Sequence, residues 1–131
     1  MKKIGILNSE ISKVISELGH TDQIVICDAG LPIPDGVKRI DLSLTPGVPS
    51  FMSVLLAVLL EMQVERAYFA EELKQSSPET LAQLQEALPD ADRKSVSHET
   101  FKQMTRQAKA VIRTGECTPY ANVILEAGVI F

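Results

Sequence analysis

Apolar positions along the chain follow two different periods. Ile11, Val14, Ile15 and Leu18 recur at i, i+3, i+4 and i+7, which predicts a helix with one apolar face. Asn8 or Ser9 stands where an N-cap accepts orphan amide hydrogens, and Gly19 stands where a C′ residue adopts positive φ. His20 then falls in a turn just past the helix C-terminus. The β-branched run at 23–27 predicts a buried central strand that ends at Asp28. Prolines and glycines break regular structure over 29–36. A second strand is expected at 37–42, and Pro46, Gly47 and Pro49 mark a loop before a helix at 50–62. Further along, the pattern predicts strands at 66–70, 94–96, 110–113 and 122–125. Helices are expected at 78–88, with Pro78 in the first turn, and after Ser97, carrying Phe101, Met104 and Ala108. About six strands alternating with four helices point to an α/β layer architecture.

Composition adds bounds. The 131 residues fit one domain, 1–131, and are enough to bury a core without disulfide or metal staples. With 45% hydrophobic and 23% charged residues the chain has ordinary globular composition. A net charge of -4 and scattered lysines and arginines exclude a nucleic-acid partner. The apolar block 54–60 is closed by Glu61 and is too short to span a bilayer, so it is expected to be a buried helix and no membrane partner is expected. Ile4-Gly5-Ile6-Leu7 is too short for the apolar region of a leader, and the expected location is cytoplasmic. Cys27 and Cys117 form no CxxC pair and are expected to be reduced thiols that pack as small hydrophobes.

Candidate chemistry is sparse. There is no glycine-rich phosphate loop and no His/Cys/carboxylate cluster at metal spacing, so neither metal nor cofactor is expected. Gly115 reads as a turn glycine. Two histidines exist, His20 and His98. A helix C-terminus behind His20 favours an accessible imidazolium. The strand it precedes ends in Asp28, and the carboxyl ends of strands are where ligands of open α/β sheets gather. His98, in the first turn after Ser97, faces the opposite helix field and suits neutral hydrogen bonding, or simply caps the helix. Asp28 equally ends strands because Asp favours turns. If the chain is extended from Tyr120, then Tyr120 and Asn122 share one face with Ala121 on the other, a phenol and an amide suited to a polyhydroxylated ligand. The alternative is a plain turn into a strand.

Several separate stretches, in order, carry a resemblance over nearly the whole chain: Gly5-Ile6-Leu7-Asn8, 17–22 ending in Gly19-His20-Thr21-Asp22, 27–34 beginning Cys27-Asp28-Ala29-Gly30, Ser97-His98-Glu99, and 112–125 with Thr118-Pro119-Tyr120-Ala121-Asn122. Together they resemble the ribose and fucose mutarotase family. The resemblance implies a single-domain, three-layer α/β/α sandwich with a mixed sheet of about six strands, and a cofactor-free isomerase. The reaction implied is interconversion of the pyranose and furanose forms of free D-ribose, in ribose catabolism. It implies His20 as proton donor, and Asp28, His98, Tyr120, Ala121 and Asn122 as sugar contacts. It also implies ring-shaped homo-oligomers, as stacked pentamers. Gly30, where fucose-type members tend to carry His, and Pro119, which they tend to lack, favour ribose. The rival readings are a mutarotase for another aldose such as L-fucose, a non-catalytic sugar-binding subunit, and a structural ring subunit.

Overall fold

The computed structural model describes residues 1–131. In chain order the elements are α1 (Ser9–Glu17), β1 (Gln23–Cys27), β2 (Lys38–Asp41), α2 (Phe51–Leu59), β3 (Val64–Ala70), α3 (Leu73–Ser76), α4 (Pro78–Ala87), β4 (Asp92–Val96), α5 (His98–Met104), a 3-10 turn (Thr105–Gln107), β5 (Ala110–Arg113) and β6 (Val123–Ala127). The strands form one sheet in the order β2-β5-β1-β6-β3-β4. All neighbours are parallel except β6, which runs antiparallel to both β1 and β3. This is the mixed six-stranded sheet expected.

Strand alternation divides the core into two layers. Ile24 and Ile26 of β1, Ala110 and Ile112 of β5, and Val123 and Leu125 of β6 face α1, α2 and α4, where they meet Ile11, Val14, Phe51, Leu55 and Leu84. The intervening Val25, Cys27, Val111 and Ile124 face a thinner layer built from Phe101 of α5, Ala108 and Leu31. Three layers result, α/β/α, with helices on both faces of the sheet.

The caps match their residues. Asn8 Oδ1 accepts from Ile11 N (2.9 Å) at α1, and Ser97 Oγ accepts from Thr100 N (3.1 Å) at α5. Departures from expectation have local causes. Leu18, not Gly19, closes α1, in an extended conformation, and positive φ falls on Thr21 (70°) instead. There Asp22 N donates to Gly19 O (3.1 Å), closing a β-turn whose third residue, Thr21, takes the positive φ of a type II turn. The last helix stops at Met104, so Ala108 follows a 3-10 turn rather than lying on the helix. α2 is apolar all round but buried on one side only. Phe51, Leu55 and Val58 are covered, whereas Leu56 and Leu60 are 51% and 86% exposed. Cys27 is a core thiol, and burial, with Asp28 adjacent, pushes it up to about 12. Cys117 departs from expectation and is exposed. No helix is long and apolar enough to cross a membrane.

Gly115 is a contact glycine more than a turn glycine. Its N–H donates to Pro49 O (2.9 Å) and its carbonyl accepts from Gly47 N (2.6 Å). A Cβ there would lie 2.3 Å from Val48 O. The obstruction is backbone, which cannot swing away, so Gly115→Ala is expected to lower stability by about 1–3 kcal/mol. Denaturant melts check this, and an unchanged midpoint would refute the close-packing account. A second expectation follows from the thiols. A thiol-alkylating reagent at about pH 8 should label Cys117 and spare Cys27 until the chain is denatured, because only thiolate reacts. Intact-mass measurement distinguishes one adduct from two.

Candidate active site

The reversal of β6 builds the site. Because β6 is antiparallel, its leading residues lie beside the residues that leave β1, with Ile26 opposite Val123. Asp28 therefore meets Asn122. Asp28 N donates to Asn122 Oδ1 (2.8 Å), and Asn122 Nδ2 donates to Asp28 Oδ2 (3.1 Å). Asn122 is fully buried, so both halves of its amide are committed to this pair. Gly30 N donates to the other carboxylate oxygen, Oδ1 (2.8 Å). The carboxylate is thus held in a fixed orientation at the floor of a cleft of about 490 Å³, a volume typical of small-molecule sites.

The expectation that Tyr120 and Asn122 share one face of an extended strand is corrected. β6 begins at Val123, and Tyr120 has φ 64°. Ala121 N donates to Thr118 O (3.3 Å), and with Pro119 second and Tyr120 third this is the φ pattern of a type II turn. Asn122 N then donates to Tyr120 O (2.8 Å) in a three-residue turn around the buried Ala121. Turn chemistry, not strand pleat, brings the phenol and the amide to one place. Ser76 Oγ of α3 donates to Pro119 O (2.9 Å) and braces the turn.

His98 opens α5 and reaches the same cleft. Its ring stands edge-on to Tyr120, with centroids 4.9 Å apart at 82°, and lies parallel to Phe101 at 6.5 Å. Its backbone N–H donates to both carboxylate oxygens of Glu72 (3.1 and 3.0 Å). His98 Nδ1 is buried without a hydrogen-bond partner in the chain.

Sequence reasoning missed Glu116. Its carboxylate accepts from Phe51 N at the start of α2 (3.0 Å) and from Thr118 N and Oγ1 (3.3 and 3.0 Å). Partial burial pushes the carboxyl up, but these donors outweigh it and hold the carboxyl below its usual range. A Glu in a Gly-Glu-Cys-Thr stretch gives no hint of this role, because its partner lies 65 residues away. Arg113 is a second omission. Its Nε donates to Ala29 O (3.0 Å) and its Nη1 to Asp41 Oδ2 (2.9 Å) and Ser43 Oγ (2.6 Å), tying the loop after β1 to the end of β2 and the loop that follows it.

Within one chain His20 does not join the cleft. It lies before β1, at the opposite edge of the sheet from Asp28, among Leu18, Met62, Gly128 and the C-terminal residues. The five residues of β1, at about 3.3 Å each, put roughly 15 Å between the strand ends alone. The strand that leads to Asp28 therefore separates the two side chains. His20 sits second in the Gly19–Asp22 turn, which is latched to β6 by Thr21 N donating to Ala127 O (2.9 Å). Its Nε2 is 2.6 Å from Glu65 Oε2. No trio of His, Cys, Asp or Glu side chains stands at metal-ligating spacing.

Comparison with known proteins agrees with this architecture. A protein of Laribacter hongkongensis named D-ribose pyranase is 58% identical over 131 residues, covering all of both chains. The structure of Bacillus subtilis RbsD complexed with D-ribose is 54% identical, covers both chains completely and superposes with a TM-score of 0.97. FucU from Bifidobacterium longum is more distant, at 26% identity and a TM-score of 0.78 over 95% of this chain and 97% of its own. The family model of the RbsD / FucU transport proteins matches residues 1–130. The chain belongs to the RbsD / FucU transport protein family.

Proposed function

We propose that this chain is an isomerase that interconverts the pyranose and furanose forms of free D-ribose. The observation that carries this reading is full-length similarity, at 54–58% identity, to proteins named D-ribose pyranase, together with a TM-score of 0.97 to a relative holding D-ribose. A fucose specificity is less favoured, since the FucU relative is only 26% identical.

The site assignments follow from what each group offers. Asp28, fixed by Asn122 and Gly30, accepts hydrogen bonds from sugar hydroxyls. Tyr120 adds a phenol, His98 a ring that lines the same cleft, and Ala121 shapes the turn between Tyr120 and Asn122. His20 is the acid. As the C1–O5 bond of the pyranose breaks, His20 gives a proton to O5 while the anomeric hydroxyl gives its proton to a base on the cleft side, for which Asp28, a neutral His98 or water is available. The free aldehyde rotates, O4 attacks C1, and both protons return, so nothing is consumed. One positioned acid contributes roughly 10²–10⁴-fold. The reaction needs no electron or group carrier, and activity is expected to survive exhaustive chelation; loss restored by one added metal would overturn this.

His20 and the cleft occupy opposite edges of one sheet, so a site that uses both is made by two chains. A ring-shaped homo-oligomer supplies this arrangement, because a repeated heterologous contact sets the His20 edge of each subunit on the cleft of the next. The exposed Leu56 of α2 and Leu60 just after it, and Ile130 and Phe131 at 89% and 100% exposure, are apolar surface that a second copy would cover. The free thiols suit a reducing cytoplasm.

His20→Ala should abolish most exchange in saturation-transfer NMR of ribose while leaving the protein folded; near wild-type exchange would remove His20 from the mechanism. The shared site has its own test. Equal amounts of His20→Ala and Tyr120→Ala chains, dissociated and reassembled at random, should pair intact His20 with intact Tyr120 at about a quarter of interfaces, and activity should return to that fraction. Verified mixed rings that stay inactive would place each site within a single chain.

A further inference from the structure

The amino edge of the sheet carries a carboxylate that the mechanism has not used. Val64 and Arg66 of β3 are two residues apart, yet they pair with Ala127 and Glu126, which are adjacent. Glu65 is the extra residue of a β-bulge. Bulges re-aim a side chain and are frequent beside active sites. Here the bulge brings Glu65 Oε2 to 2.6 Å from His20 Nε2. Gly128 makes room for it, since a Cβ on Gly128 would sit 3.1 Å from Glu65 Cβ and 3.3 Å from Glu65 N. On the other side, the Gly19–Asp22 turn holds His20 in place through Thr21, a β-branched residue at φ 70°, a conformation that neighbouring structure must enforce. Both partners of the contact are therefore placed by unusual backbone, and the two backbones are joined through Ala127 and Gly128.

We infer that Glu65 is the positioning residue for His20, fixing its tautomer and ring orientation. The inference rests on the reading of His20 as the acid. A carboxylate only accepts, so Nε2 carries the hydrogen in this contact. That leaves Nδ1 as the atom that faces substrate. In the charged ring Nδ1–H gives its proton to the departing ring oxygen. What remains is the Nε2–H tautomer, with the Nδ1 lone pair still aimed at the sugar and ready to take the proton of the hydroxyl that closes on C1. No ring flip or tautomer exchange separates the two half-reactions. Glu65 itself touches no sugar atom and exchanges no proton with it.

Glu65→Gln keeps the size of the side chain but offers an amide that donates as readily as it accepts, so the tautomer is no longer dictated. In the assembled protein at about pH 9, above the ordinary histidine range, nitrogen-15 NMR of His20 is expected to report Nε2–H alone in the wild type and a mixture in Glu65→Gln. Exchange measured over a range of ribose concentrations is expected to show kcat lowered about tenfold, a part of what a positioned acid supplies, with KM unchanged within about twofold. Adding Glu65→Gln to His20→Ala should lower activity no further, because the effect passes through the imidazole. Gly128→Ala, which crowds Glu65 without altering its charge, should loosen the tautomer in the same direction. A wild-type tautomer that persists in Glu65→Gln, an unchanged kcat beside an inactive His20→Ala, or additive losses in the double variant would each overturn the assignment. An active His20→Ala would instead defeat the acid role, and the tautomer measurement would still decide the Glu65 contact.

Discussion

β6 runs antiparallel between β1 and β3, and the meeting of Asp28, Tyr120 and Asn122 depends on that reversal. A parallel strand in that position would deliver its leading residues to the far edge of the sheet. The reversed strand delivers Tyr120, Ala121 and Asn122 to the edge where Asp28 leaves β1. The pair of hydrogen bonds between Asp28 and Asn122 then locks the edge. Asn122 is fully buried, and an unpaired amide there would cost about 1–3 kcal/mol. The pairing that orients Asp28 is thus also required by the core.

Around that pair, the cleft is a set of loops made rigid by side chains that bond to neighbouring loops and helices. Glu116 joins the loop after β5 to the start of α2, and Arg113 joins the loops after β1 and β2. Glu72 holds the first residue of α5, and Ser76 holds the turn before Tyr120. A site for a small polar molecule needs this, since such a ligand has little apolar area with which to bind. Fixed donors and acceptors supply the orientation that a deep pocket would otherwise give.

The two edges of the sheet are coupled through the same strands. β1 leads from the turn that carries His20 to the carboxylate of Asp28, and β6 leads from Asn122 to Ala127 and Gly128, which hold the His20 turn and the Glu65 bulge. Each subunit in a ring would offer one edge to either neighbour, with both edges fixed relative to each other by two central strands, β6 buried throughout and β1 buried beyond Gln23. In the proposed ring, register between active-site halves would be set by the rigidity of the sheet.

Local periodicity and turn chemistry determined much of this. The strand at 23–27, the helix on Ile11, Val14 and Ile15, the caps Asn8 and Ser97, and the alternation of strands and helices were all legible, because each depends on residues within a few positions. The candidates His20, Asp28, His98, Tyr120, Ala121 and Asn122 stand in motifs that carried the family resemblance; the fold brings Asp28, His98 and Tyr120 to one cleft and leaves His20 apart from it. What sequence could not decide were relations across long separations. Tyr120 and Asn122 come together through a type II turn because Pro119 precedes a residue forced to positive φ, which strand alternation does not foresee. Gly19 was the natural site for positive φ, yet hydrogen bonding between Asp22 and Gly19 moved it to Thr21. Glu116, Glu65 and Arg113 carry no local signature, since their partners lie tens of residues away. The distance between His20 and Asp28 was hidden too: eight residues in sequence are close along the chain, but five of them form a strand, and a strand separates its ends by its own length.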